Sequence, residues 1–156
     1  MKSLISISAA LCGLLLTSSS LIAQVDMVWD THGAGFKVPR GFVIETNNEE
    51  EFSAGNDNLY LTITPIQDET VNEDDLADAV GIMAKELDYD LITDGDAVEM
   101  DDFVGYYVRG VKDGVSAIVM ALLDTESSTN LLVVVVYADG FEDEALMIVN
   151  SFYAYD

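Results

Sequence analysis

The sequence predicts an α+β fold: a largely antiparallel sheet of about six or seven strands with two helices, in the order βββ-α-ββββ-α. Three observations carry this. Two segments repeat apolar residues at three- and four-residue spacing, at Leu76 to Leu87 and at Phe141 to Phe152. Around them lie runs rich in β-branched and aromatic residues, of which Leu131–Tyr137 is the most apolar. An Asp113-Gly114 pair separates two such runs, and Asp-Gly tolerates the positive φ angles of a tight hairpin turn.

In chain order, Gly35-Phe36-Lys37-Val38 reads as an extended piece stopped by Pro39, and Gly41 to Glu45 resumes it. The polar, acidic segment from Asn47 to Asn58 reads as a loop. Leu59 to Pro65 places aliphatic residues at every second position, as a half-buried strand does. Asn72 then begins a helix: its side chain accepts from free backbone N–H groups, Asp75 sits where a capping box wants an acid, and Glu73, Asp74 and Asp75 face the positive helix end. Leu76, Ala79, Val80, Met83, Ala84 and Leu87 form its core stripe.

Beyond Ala97 the chain reads as strands. Asp101-Asp102 turns between Val98-Glu99-Met100 and the run from Phe103, and Asp113-Gly114 joins Phe103–Lys112 to Val115–Leu123. After a polar loop, Leu131 to Tyr137 reads as a central strand covered on both faces. Asp139 is predicted to cap the last helix, with Phe141, Ala145, Ile148, Val149 and Phe152 facing inward.

The first residues have the build of a secretory signal peptide: Lys2, a short apolar run from Leu4 to Leu16, a serine stretch, then Leu21-Ile22-Ala23. The run is too short to remain as a spanning helix, which takes about 20 residues. Residues 1–23 are therefore expected to be removed after Ala23, residues 24–34 to form a flexible lead, and 35–156 a single domain. A periplasmic or secreted protein without a stable membrane anchor is the expectation. Cys12, the one cysteine, goes with the leader, so the mature chain has neither disulfide nor thiol chemistry.

Removing residues 1–23 takes Lys2 and no acid, so the net charge moves from −23 to −24. That charge opposes nucleic acid and anionic membranes and favours cations or a basic protein partner. Half of the residues are hydrophobic, enough to bury a core despite the charge.

Phe36-Lys37-Val38-Pro39-Arg40-Gly41-Phe42 near the front, and Leu131 to Tyr137 with Asn150-Ser151-Phe152 at the close, resemble the PsbP-like α/β/α sandwich superfamily, with its DcrB-type bacterial envelope members. The resemblance implies a non-enzymatic accessory or binding role, and it transfers no functional residue.

Candidate chemistry is sparse. His32, the single histidine, lies in Trp29-Asp30-Thr31-His32-Gly33 without a second histidine for zinc or a nucleophile in a recognisable setting, and it reads as part of the flexible lead. No catalytic residue and no cofactor is predicted. Calcium is the alternative reading. Asp90, Asp94 and Asp96 flank Gly95, and on a calcium-loop template begun at Asp90 the twelfth position is Asp101. Ile92 at the third position cannot ligate. A small hydrolase working through two of the many carboxylates is the further alternative, and it would need two convergent acids in a cleft.

Overall fold

Sheet formation begins earlier than the extended piece at Gly35. The computed structural model describes residues 23–67, 71–127 and 129–155, and of residues 91–94 the backbone alone. Gln24–Trp29 forms strand β1, antiparallel to β2 (Ala34–Pro39), and a 3₁₀ turn at Asp30–His32 connects them. The reading of 24–34 as a flexible lead is thereby corrected. Met27 packs against the core, and Trp29, two residues further along the same face of β1, is fully buried. Residues 1–22, where the leader and Cys12 fall, lie outside the described residues.

Strands β3 (Val43–Asn47), β4 (Phe52–Gly55) and β5 (Leu59–Pro65) follow as two hairpins. Strand β4 lies inside the segment read as a loop, because Asn48 and Asn56 compress the polar residues into two tight turns. The Asn48 side chain accepts from the N–H groups of Glu50 and Glu51, and Asn56 from those of Asn58 and Leu59. Phe52 and Ala54 are left to point inward between them.

Asn72 accepts from the N–H groups of Asp74 and Asp75 as predicted, while its amide donates to Asp75, but the turn it caps is a 3₁₀ turn at Glu73–Asp75 that leads into the helix. Helix α1 runs Leu76–Glu86. Strands β6 (Asp90–Glu99), β7 (Phe103–Lys112), β8 (Val115–Asp124) and β9 (Asn130–Tyr137) then form an antiparallel series. Asp113 and Gly114 both take positive φ, 52° and 78°, as the hairpin demanded. Helix α2 (Glu142–Val149) is not capped by Asp139. Gly140 at φ 87° turns the chain between them, and Phe141 holds the cap position without a side-chain bond. A short strand β10 (Tyr153–Ala154) closes the chain.

The fold is α+β as predicted. Seven strands pair antiparallel in the order β3-β4-β5-β9-β8-β7-β6, and β1-β2-β10 make a second, smaller sheet. The β9 run splits its side chains between the two faces of the large sheet. Leu131, Val133 and Val135 enter a core shared with Phe36, Val38, Phe52, Ile148 and Phe152, formed where the small sheet and α2 cover one face. Leu132 and Val134 turn to the other face, where Leu76, Val80 and Ala84 of α1 pack on Val108, Val119 and Ala121.

Three bonds fasten the closing segment. Ser151 Oγ accepts from the Lys37 N–H at 2.8 Å and the Tyr155 N–H donates to the Gly33 carbonyl at 2.7 Å within the covering layer, and Asp102, at the bend before β7 of the large sheet, accepts from the Ala154 N–H at 2.8 Å. Gly35 lies under the Tyr153 ring, in space that a Cβ would fill.

Candidate binding surface

The acids proposed for calcium sit on a strand. Asp90 opens β6 and pairs opposite Val111, Asp96 pairs opposite Tyr107, and Asp101 follows at the bend before β7. The Asp94 side chain lies outside the described residues. Gly95 does not form the sharp turn of a cation loop. The register of β6 slips twice between Leu91 and Asp96, and there Gly95 approaches the Tyr107 carbonyl so closely that a Cβ would overlap it. Among the described residues no group of three or more His, Cys, Asp or Glu converges as a metal site would require. As the exposed edge of the large sheet, β6 carries a row of acids that discourages pairing with another chain.

His32 is structural. Its Nε2 lies 2.7 Å from the Glu49 carbonyl, an acceptor, so this nitrogen donates. Its ring rests on Trp29 at 4.2 Å, and Trp29 Nε1–H donates to the Asn48 carbonyl at 2.7 Å. Together the two side chains fasten the β3–β4 turn to the end of β1. No Asp or Glu among the described residues is buried, and Ser53 is the buried polar side chain there.

Arg109 makes the one ion pair among the described residues, to Glu142 at the start of α2, and lies over the Tyr107 ring at 5.6 Å. Burial acts to lower the pKa of the guanidinium, and the bond to Glu142 outweighs it, so the group is raised overall. This joins β7 to α2 and leaves the remaining carboxylates without a cation within bonding range among the described residues.

An exposed surface remains on the α1 side of the large sheet. Helix α1 lies over β6, β7 and β8. The other half of that face, on β3, β4 and β5 with the far end of β9, has no helix above it among the described residues, while Leu132 and Val134 of β9 border the α1 cluster. Thr46, Tyr60, Thr62, Thr64 and Val136 lie half-buried there, and the registers Thr46↔Ser53↔Thr62↔Val134 and Gly55↔Tyr60↔Val136 place them side by side. A shallow hollow of about 490 Å³ opens at one end, lined by Val43, Glu45, Gly55, Asp57, Asn58 and Tyr60. Tyr60 donates to Glu45 Oε2 at 2.8 Å.

The Tyr60 phenol is raised above 10.0. The Ser53 hydroxyl works to lower it. The Glu45 carboxylate that it donates to, burial, and the charges of Glu45 and Glu51 outweigh that effect. Ser53 Oγ itself is buried without a hydrogen-bond partner, so the carboxylates are the firmer cause. Residues 43–65 contain Glu45, Glu49, Glu50, Glu51 and Asp57 and no Lys or Arg, and β9 carries no charge at all. The sequence reading missed this surface. Its signal was present in the absence of basic residues over that span, but only strand order places β9 beside β5.

No family model and no curated protein sequence matches the chain. The fold is similar to the crystal structure of the Ran-binding protein Mog1p of Saccharomyces cerevisiae, with TM-score 0.61 and 13% identity over 87% of this chain and 97% of that one. It is equally similar in kind to a mutant of Mog1, with TM-score 0.59 and 12% identity over 86% and 97% of the two chains. At such identity the likeness is one of fold. It corrects the DcrB-type resemblance, since the solved structures of similar fold are those of Mog1, and the PsbP-like part of the resemblance is consistent with them.

Proposed function

We propose that this protein is an exported, non-catalytic domain that binds a basic segment of a protein partner on the open half of its large sheet. The carrying observation is that half-face: half-buried, rimmed by Glu45, Glu51 and Asp57, and without a basic side chain on its strands. A segment that sets apolar and hydroxyl-bearing groups against Tyr60, Thr62 and Val136, and Lys or Arg against the rim, matches it in charge. The long-range field of a mature chain at −24 would speed encounter with such a partner. That the similarly folded Mog1p is a Ran-binding protein agrees with a protein-binding role for the fold, though fold by itself does not carry function.

The export half of the proposal rests on the leader-like residues 1–23 and on β1 beginning at Gln24, the residue after the proposed cut. No helix among the described residues is long and apolar enough to cross a membrane.

The binding half is tested by titrating the isotope-labelled protein with a short peptide of alternating lysine and valine, read by amide chemical shifts. Saturable shifts confined to β3, β4, β5 and β9, and lost in Thr62→Arg, are expected. Shifts spread evenly over all acidic segments, β6 included, would mean bulk charge attraction and would end the assignment of this face.

A further inference from the structure

Cleavage after Ala23 leaves glutamine at the amino terminus, and an N-terminal glutamine is chemically poised to close on itself. We propose that Gln24 of the mature protein is a modification site, converted to pyroglutamate. The inference rests on the export reading above and adds to it a reaction that the structure leaves unobstructed.

Gln24 is exposed and begins β1, which lies at the edge of the small sheet with β2 on one side and, among the described residues, no strand on the other. Opposite it in register stands Pro39, which has no N–H to give. The bond flanking this pair runs from the Arg40 N–H to the Ala23 carbonyl at 3.1 Å. In an antiparallel ladder such a flanking bond marks the Gln24–Pro39 pair as one that exchanges no hydrogen bonds of its own. The Gln24 nitrogen therefore points away from β2, toward the open edge. The first ladder bonds belong to Val25 and Val38. Once the Ala23–Gln24 peptide is cut, the new amine is free of the sheet while its own residue is held at the surface.

The step is an internal aminolysis. The neutral α-amine adds to the side-chain carboxamide carbon, forming a C–N bond and a five-membered ring. The bond from that carbon to the amide nitrogen breaks, and ammonia leaves with the proton that the amine gives up. No oxidant, metal or second substrate enters, and an exported cyclase would only accelerate the step. The lactam carries no charge, so the terminal cation disappears, and an aminopeptidase finds no free amine to act on.

The test uses the full 156-residue chain, secreted and then isolated as the mature protein. After prolonged incubation at neutral pH, the N-terminal peptide is analysed by mass and by stepwise amino-terminal degradation. The expected peptide starts at Gln24, is lighter by one ammonia and is blocked to degradation, whereas that of Gln24→Ser has its full mass and is degraded. Folded protein should cyclise at a rate comparable with that of a synthetic Gln-Val-Asp-Met peptide, because no ladder bond ties the amine. A terminus at Gln24 that keeps its amine would overturn the modification and leave the export reading intact. A terminus anywhere else would overturn the cleavage reading and this proposal together. A folded protein that cyclises only when denatured would show that the amine is held after all.

Discussion

Replacing Trp29 by phenylalanine tests whether the segment ahead of Gly35 is part of the folded core. Trp29 is fully buried, its Nε1–H donates to the Asn48 carbonyl at 2.7 Å, and its ring lies tilted against that of His32 with centroids 4.2 Å apart. Phenylalanine keeps most of the packing but removes the donor and the second ring. The hydrogen bond contributes about 1 kcal/mol net. The missing ring atoms, at roughly 0.8 kcal/mol for each carbon-sized group no longer buried, add about 1–2 kcal/mol. The expected loss is thus about 2–3 kcal/mol, and Trp29→Ala should cost about 3–5 kcal/mol. Urea unfolding followed by far-ultraviolet circular dichroism measures it without relying on the fluorescence of this single tryptophan. The midpoint should fall with an unchanged slope, since the unfolded chain exposes nearly the same surface. A loss below about 0.5 kcal/mol, the range of ordinary surface substitutions, would mean that residues 24–33 do not belong to the cooperative core.

Gly114→Val should lower stability by about 1–3 kcal/mol, because φ of 78° is strained for a β-branched residue, and the same urea titration reads it. Alkaline pH should weaken the fold in a defined window. Burial raises the phenols of Tyr89 and Tyr137 above 10.0, and Tyr60 is raised by its carboxylate neighbours against the lowering effect of Ser53. A folded-state value above the unfolded one contributes stability that is complete below pH 10.0 and is lost as pH rises through the higher folded values. Spectrophotometric titration should accordingly show phenolate forming late at these three, and unfolding experiments should show falling stability above pH 10.0 and not below it. Sodium chloride should raise the melting temperature progressively by screening a mature chain at −24, and calcium at fixed ionic strength should add no saturable increment. A saturable calcium shift abolished by Asp94→Asn with Asp96→Asn would contradict the strand geometry given to β6.

Where a pattern was local, it was legible. The helix of Leu76 to Glu86 announces itself through the stripe of Leu76, Val80 and Ala84, a consequence of the 3.6-residue turn, and the 3₁₀ turn just ahead of it through its Asn72 cap, both acting over one stretch of chain. The Asp113-Gly114 hairpin is likewise a property of two residues. Strand β4 escaped because it is only four residues long, set between two asparagine turns whose polarity dominates any window laid over them. Asp139 misled for a related reason: an acid shortly before an apolar stripe looks like a cap, but Gly140 redirects the chain before the helix begins.

The sequence by itself determined the class of the fold, its two helices, most of its strands and the sign of its surface charge. These follow from residue chemistry and short-range spacing. Only the tertiary structure decided what those residues are for. Trp29 and His32 became anchors because the β3–β4 turn, close to twenty residues downstream, returns to meet them. Gly95 became a point of close approach because β7 comes back alongside β6. The open half-face exists because β9 inserts between β5 and β8 while α1 lies over β6, β7 and β8. Each of these depends on contacts between segments far apart in the chain, and the energies that choose such contacts belong to the packed whole rather than to any window of sequence.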